Sequence, residues 1–216
     1  MKKISYLLLL SFFSLAVVPA ASQDIKLPDP DINGGKPLMK TLNERKSIRE
    51  FNTNNLSQQQ LSDLLWAAWG YNRPDQKMRT APSARNIQEI DVYVALSTGL
   101  YLYEPASHSL KQITNKDIRN LTGTQPFVAT APVNLVYVAD MAKLGKKEGE
   151  EIKDSELLWP YANTGFISQN VYLYCASADL GTVVRGLVPK DKLGPEMKLR
   201  SNQVIVLSQT IGFPAK

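Results

Sequence analysis

The stretch from Tyr161 to Leu180 constrains the fold of this chain more than any other part of the sequence. It contains no proline and only one glycine, near its start, so it reads as one long helix. A helix that is apolar on all faces lies in a protein core or in a subunit interface. The apolar residues here fall on nearly every face, and they include Phe166, Ile167, Val171, Leu173, Cys175 and Ala178.

The 216 residues include one cysteine and one histidine, and these counts exclude several kinds of site. A zinc site of His and Cys ligands, or a disulfide framework, needs more of both. A Ser-His-Asp triad could use only His108. Cys175 lies in an apolar stretch, which favours a buried thiol over a reactive one.

Residues 1–22 have the features of a secretory signal peptide. A basic start precedes an apolar run from Ile4 to Val18, and small residues follow, with cleavage expected after Ala20 or Ser22. An uncleaved anchor, the alternative, needs about 20 apolar residues. We therefore expect a protein exported to the periplasm or secreted, with no stable membrane anchor after cleavage.

The charge balance gives little support to nucleic acid as a partner. Before cleavage the net charge is +5, and loss of Lys2 and Lys3 leaves 23 basic against 20 acidic residues, a net charge of +3. This excess is mild, and we expect no nucleic-acid partner.

The remaining chain reads as an extended arm over residues 23–39 and one α+β domain over residues 40–216. Proline and glycine punctuate the arm. A capping box at Ser57 and Gln60 opens a helix that Gly70 ends. We expect helices over 38–44, 58–69, 115–121 and 161–180 and from about 189, and strands over 90–96, 99–103, 133–139, 182–184 and 203–208.

The charged segment 143–154 mixes lysines and acids with glycines. It is typical of a mobile, solvated excursion, and the alternative is a lid over a site. His108 falls in the turn that follows the strand pair.

Two polar clusters are candidates for chemistry. The first, Arg45 to Phe51, has three cations and a hydroxyl close together, which suits phosphate recognition. It is also typical of an exposed basic helix end. The second, Arg79 to Gln88, reads as a loop in which small residues let backbone approach a ligand. The pair Gly181 and Gly186 lacks the Lys and Ser/Thr of a phosphate loop, and no Gly-x-Gly-x-x-Gly occurs.

The order of these segments resembles that of the nitroreductase family of FMN flavoproteins. The resemblance covers about Lys40 to Pro214. The hairpin from Gly99 and the block from Arg79 look most like the SagB-type, azoline-oxidising subgroup. The segments that carry the likeness are Arg45-Lys-Ser-Ile-Arg-Glu-Phe, Ala81-Pro-Ser-Ala-Arg-Asn, Ala131-Pro-Val-Asn-Leu-Val-Tyr-Val, Gln169-Asn-Val-Tyr-Leu-Tyr, Leu180-Gly-Thr-Val-Val-Arg-Gly and Ile211-Gly-Phe-Pro.

This resemblance implies a central, mostly antiparallel sheet flanked by helices, in an intertwined homodimer that binds FMN. Arg45, Lys46 and Ser47 would hold the phosphate, and Arg49 would reach the pyrimidine edge of the ring, where a cation stabilises the reduced form. The other residues implied are Pro82, Ser83, Ala84 and Asn86 from the partner subunit, Val184, Arg185 and Gly186 near the reactive nitrogen N5, and Gln125 on the ring or ribityl chain.

The implied activity is an FMN-dependent oxidoreductase in which N5 is the reactive centre and no side chain acts as a nucleophile. A donor such as NAD(P)H would give hydride, and a nitroaromatic, quinone or similar acceptor would take it. The alternatives are a SagB-like heterocycle dehydrogenase or oxidase, and a non-catalytic exported flavin-binding protein. Two departures bear on this choice: Arg185 stands where many members have an acid, and the chain ends at Lys216, soon after Gly-Phe-Pro.

Overall fold

The computed structural model describes residues 23–215, so the signal peptide and Lys216 lie outside the described residues. The helices are α1 (Leu38–Glu44), α2 (Gln58–Trp69), α3 (Leu158–Ser177) and α4 (Lys190–Glu196). The strands are β1 (Ile25–Lys26), β2 (Tyr71–Arg73), β3 (Met78–Arg79), β4 (Ile90–Leu96), β5 (Gly99–Glu104), β6 (Ser109–Thr114), β7 (Val133–Asp140), β8 (Gly181–Arg185) and β9 (Gln203–Gly212). Among these residues, no helix is long and apolar enough to cross a membrane.

Seven strands form one antiparallel sheet in the order β1-β6-β5-β4-β7-β9-β8. β2 and β3 form a separate two-stranded ribbon. β7 lies near the centre, and all eight of its residues are buried, as the high apolar density of residues 133–139 predicts. The prediction of an α+β fold with a mostly antiparallel sheet is therefore confirmed.

Helices cover both faces of the sheet. α2 and α3 pack on one face, where Leu64 and Val171 are buried against Leu135. α4 covers the other face, where Leu193 is buried against Val136. Cys175 is fully buried in the first of these two cores, and burial raises the pKa of its thiol, so the expectation of a structural rather than reactive cysteine is confirmed.

The capping box of α2 forms as predicted. The Gln60 N–H donates to the Ser57 hydroxyl at 3.1 Å, and the Ser57 N–H donates to the Gln60 side chain at 3.0 Å. Gly70 ends the helix and donates its N–H to the Trp66 carbonyl at 2.8 Å.

α3 begins and ends earlier than its sequence suggests. It begins at Leu158 because Pro160 fits the first turn, where backbone N–H groups have no helical partner. It ends at Ser177, since Asp179 adopts the left-handed conformation, with φ of 56°, that more often marks a glycine.

The expected helix over 115–121 is wrong: only a 3-10 turn forms at Arg119–Leu121. Asp117 accepts the Arg119 N–H at 3.1 Å and so competes with helical bonding.

The arm over 23–39 is joined to the sheet, and its last two residues belong to α1. β1 is an edge strand that the sequence did not reveal. It pairs with β6, and Leu27 enters the core.

His108 occupies the turn before β6, as expected. Its ring lies between the Ser62 hydroxyl, 2.6 Å from Nε2, and the Tyr103 hydroxyl, 2.9 Å from Nδ1.

The charged segment 143–154 is mostly exposed, as expected, but it is anchored at both ends. Lys143 lies 3.1 Å from Asp91, and Lys146 lies 2.7 Å from Glu156. Leu144 and Ile152 pack against the core.

Candidate functional site

The basic segment, Arg45 to Phe51, lies along the outer edge of β8. Its Ile48 N–H donates to the Thr182 carbonyl at 3.0 Å. Its far end is held by the last residues of the chain, because the Ala215 N–H donates to the Glu50 carbonyl at 3.0 Å. The segment is therefore fixed against the sheet at both ends.

Tyr172 on α3 connects the basic segment to β8. Its hydroxyl lies 2.9 Å from the Ser47 hydroxyl and accepts the Val184 N–H at 3.1 Å. The Arg45 guanidinium carbon lies 5.3 Å from the Tyr172 ring centroid, within range of a cation–π contact. Since Tyr172 accepts from Val184, its own hydrogen can go to Ser47, and the Ser47 hydrogen remains for a ligand oxygen.

The cations of this segment face solvent without acidic partners. Lys46, Ser47 and Arg49 are exposed and Arg45 is half-buried. Among residues 23–215, none of the three cations takes part in an ion pair. A cleft of about 500 Å³ adjoins the segment, and its walls include Lys46, Ile48, Tyr172, Thr182 and Pro214.

The second cluster forms a strained loop. Arg85, Asn86 and Gln88 have φ of 53°, 54° and 55°, in the left-handed region that non-glycine residues rarely adopt. Such strain persists where surrounding contacts hold the backbone firmly, and it concentrates at functional sites. The Gln88 N–H donates to the Ser83 hydroxyl at 3.0 Å, and the Ala84 N–H donates to the Asn163 side chain at 3.1 Å.

One copy of the chain does not bring the two clusters together. The strained loop contacts α3 at Asn163, and the basic segment contacts it at Tyr172, about 14 Å further along the helix at 1.5 Å per residue. Pro82 and Asn86 are exposed, whereas Ser83 and Ala84 are half-buried.

The remaining sequence-predicted residues gather at the end of β8. Val184 is half-buried, Gly186 is exposed and Arg185 is buried. Gln125 lies close to Arg185, because a Cβ built at Gly123 would be 3.0 Å from the Gln125 side-chain oxygen and would collide with the Arg185 guanidinium. That Gln125 oxygen is buried without a hydrogen-bond partner among the described residues.

Sequence reasoning missed Tyr172 as a site residue. It lies in the Gln169-Asn-Val-Tyr-Leu-Tyr segment that supported the family resemblance, but nothing local marks its hydroxyl as different from that of Tyr174. Its contact with Ser47 joins residues 125 positions apart in the sequence.

Comparison with known proteins decides the family. A model of the Nitroreductase family matches residues 42–213, which is most of the chain. The chain belongs to the nitroreductase family. The family resemblance inferred from the sequence is therefore confirmed, and the protein is an oxidoreductase.

Three relatives illustrate the range of the nitroreductase family. A candidate nitroreductase of Methanocaldococcus jannaschii is 28% identical over 82% of this chain and 92% of its own. The crystal structure of a candidate nitroreductase from Ralstonia eutropha JMP134 is 45% identical, covers 92% of this chain and 93% of its own, and superposes with a TM-score of 0.82. A candidate nitroreductase from Desulfovibrio desulfuricans, solved in complex with FMN, is 18% identical, covers 84% of this chain and 88% of its own, and has a TM-score of 0.59.

Proposed function

We propose that this protein is an FMN-dependent oxidoreductase that passes hydride from a reduced donor such as NAD(P)H to a nitroaromatic, quinone or similar acceptor. The observation that carries the proposal is the arrangement of the basic segment. Its cations form no ion pair with an acid among residues 23–215, and the hydroxyl of its Ser47 is oriented by Tyr172. Unpaired cations and an oriented hydroxyl suit a phosphate monoester.

The residues present fit FMN in two further respects. The buried Gln125 oxygen without a partner is a polar atom that a ligand N–H can satisfy. Gly186 has no Cβ and is exposed just beyond the end of β8, so a planar ring can approach its backbone closely.

Each predicted contact has a role in this proposal. Arg45, Lys46 and Ser47 bind the phosphate, and Arg49 binds the pyrimidine edge. The Val184 N–H is already held by Tyr172. Gly186 comes two residues later, directly after β8 ends, and we assign its N–H to N5. When bound, the flavin supplies the hydride chemistry, while the protein binds and orients.

We further propose a homodimer in which each site combines the basic segment of one protomer with the Pro82–Asn86 loop of its partner. The separation of these two clusters along α3 supports this arrangement. Exposed apolar residues on α3 support it as well: Leu158 is 65% exposed, Trp159 57% and Phe166 48%. α3 thus has one face in the core and one face available to a partner. These are the two environments, core and subunit interface, that its apolar sequence indicates.

Export to the periplasm or outside the cell completes the proposal, on the strength of the sequence over residues 1–22. The donor is then limited to what that compartment supplies, because reduced nicotinamides are scarce outside the cytoplasm.

Purification of the protein without its signal segment tests these statements. We expect a yellow dimer that releases FMN on denaturation and whose flavin absorbance bleaches with NAD(P)H. A yellow protein that stays oxidised with NAD(P)H would exclude that donor and favour the heterocycle dehydrogenase or the non-catalytic alternative. A colourless protein that takes up no added FMN would contradict the proposal altogether.

A further inference from the structure

Arg185 is a buried cation whose hydrogen-bond partners among the described residues are all uncharged. Its side chain is at the end of β8, and the residue is 6% exposed. Its guanidinium donates to the Thr122 carbonyl at 2.7 Å, to the Ser208 hydroxyl at 2.7 Å and to the Asn134 side-chain oxygen at 3.2 Å. Its Nε is buried and has no partner among the described residues.

Within residues 23–215, no carboxylate lies within ion-pair distance of this guanidinium. The groups that face it from β7, β9 and the 122–127 segment cannot change charge. Burial alone lowers the pKa of Arg185, to about 10, so the side chain stays protonated at neutral pH. A buried charge without a counter-charge is costly, and proteins normally pair it.

The surroundings are nevertheless built for a guanidinium. The Asn134 amide donates to the Val128 carbonyl at 2.8 Å, and this contact turns its oxygen towards Arg185. Gly123 leaves the space that a Cβ would take from the guanidinium. The Phe127 ring lies 5.9 Å from the guanidinium carbon. The charge is therefore held in a fixed place and is not cancelled there.

That place adjoins the candidate site. The neighbouring residue, Val184, shares the Tyr172 hydroxyl with Ser47. The Phe127 ring that covers Arg185 also packs against Phe51, the end of the basic segment, at 5.5 Å. The buried charge is thus connected, through Phe127 and the backbone of Val184, to the edge where FMN is proposed to bind.

We propose that Arg185 is the fixed positive charge that keeps the reduced ring of bound FMN in its anionic form. This inference rests on the proposed function. The ring takes up hydride, two electrons with one proton, from the donor, which leaves oxidised, and Arg185 disfavours uptake of the second proton at N1. Arg49 is less suited to this role, because it is exposed and its field is screened by water, whereas a buried charge acts through a lower dielectric.

The test measures the midpoint potential of bound FMN as a function of pH. The slope of the potential against pH gives the number of protons taken up with the two electrons. The wild type should take up one proton over the neutral range. Arg185→Met should have a lower potential and should take up the second proton at a higher pH, with at least a tenfold rise in the proton affinity of the reduced ring. Arg185→Lys should resemble the wild type more than Met does. An unchanged potential and slope in Arg185→Met would overturn the proposal.

A second pair of variants distinguishes the effect of the Arg185 charge from the effect of lost packing around it. Asn134→Asp keeps the Arg185 side chain and sets a carboxylate against it, with loss of the hydrogen bond to the Val128 carbonyl, so it should shift the slope in the same direction as Arg185→Met. Ser208→Ala removes one neutral acceptor without changing charge and should leave the slope as in the wild type. Equal shifts in both would show a structural effect and would contradict the proposal. If FMN binds normally but its potential and slope do not respond to these variants, only this inference is contradicted. If the wild-type protein binds no FMN, the proposed function itself is contradicted.

Discussion

Single residues already distinguish a phosphate site from a merely basic surface. Ser47 differs from the cations beside it because Tyr172 orients its hydroxyl. We expect Ser47→Ala to weaken FMN binding about 10- to 100-fold, since a hydrogen bond to a charged group contributes about 1.5–3 kcal/mol.

Quenching of FMN fluorescence on titration with apoprotein measures this change. Tyr172→Phe is the matched variant: it removes the orienting hydroxyl and leaves Ser47 itself in place, so its loss should be smaller. Equal affinities for wild type and Ser47→Ala would rule out a phosphate contact at Ser47.

The half-buried position of His108 should make the stability of the protein depend on pH. The Ser62 hydroxyl donates to the Pro28 carbonyl at 2.6 Å and so accepts from Nε2–H, which leaves Nδ1 to accept from Tyr103. Burial, and then the nearby Lys26, lower the pKa of His108, so folding favours the neutral ring. Its stabilising contribution is complete above the unfolded pKa of about 6.5 and is lost as pH falls through the lower folded value.

Urea unfolding at about pH 7.5 and pH 5 should therefore show a larger drop in the free energy of unfolding for the wild type than for His108→Asn. Asn tolerates the positive φ of 45° at this turn, so backbone strain is not added. An equal drop in both proteins would mean that His108 does not titrate on unfolding in this range.

At the scale of elements, the Pro82–Asn86 part of the strained loop depends on a clamp between the residues on either side of it, Arg79 and Gln88. The Arg79 guanidinium lies 4.7 Å from the Trp69 ring centroid and 4.4 Å from that of Tyr71, and its Nε donates to the Gln88 side chain at 2.7 Å. Gln88 in turn donates to the Asn86 side chain at 2.9 Å. The ribbon of β2 and β3 thereby fixes the loop that is proposed to contact FMN.

Gln88→Ala should leave the fold intact but speed release of FMN several-fold, because the loop then pays more entropy to order on binding. Stopped-flow dilution of the FMN-loaded protein measures the release rate, and circular dichroism checks the fold. Gln58→Ala, at an exposed position at the start of α2 and so at the opposite end of that helix from the ribbon, is the control. A release rate that Gln88→Ala leaves unchanged would show that the loop orders itself without the clamp.

The elements themselves were largely predictable, for reasons that differ along the chain. α2 carries its capping box in four adjacent residues, and β7 is dense in apolar residues, so local patterns were enough for both. β6 was missed because it is short and only partly buried, with no strong apolar alternation. The contact of Tyr172 with Ser47, and the cage around Arg185, join residues far apart in sequence. Only tertiary packing brings them together, and no local pattern reports it.

For the whole molecule, the question is whether two chains complete one site. Gly165 lies in α3 beside the exposed Phe166, and a Cβ at this position would meet no atom of residues 23–215 within 4 Å. In a single chain, this glycine serves no packing need and costs about 1 kcal/mol of helix stability relative to alanine. A partner helix that approaches closely at this point would explain it.

We therefore expect Gly165→Leu to convert the proposed dimer to a monomer and, in the same samples, to release FMN, because each proposed site would lose the partner's loop. Light scattering after size-exclusion chromatography gives the mass, and absorbance of the eluted peak gives the flavin content. Lys192→Leu is the matched control, since it also places an exposed leucine on a helix, but on α4, which covers the opposite face of the sheet. It should remain a yellow dimer. A Gly165→Leu protein that stays dimeric would place the interface elsewhere, and a monomer that keeps its FMN would show that one chain holds the whole site.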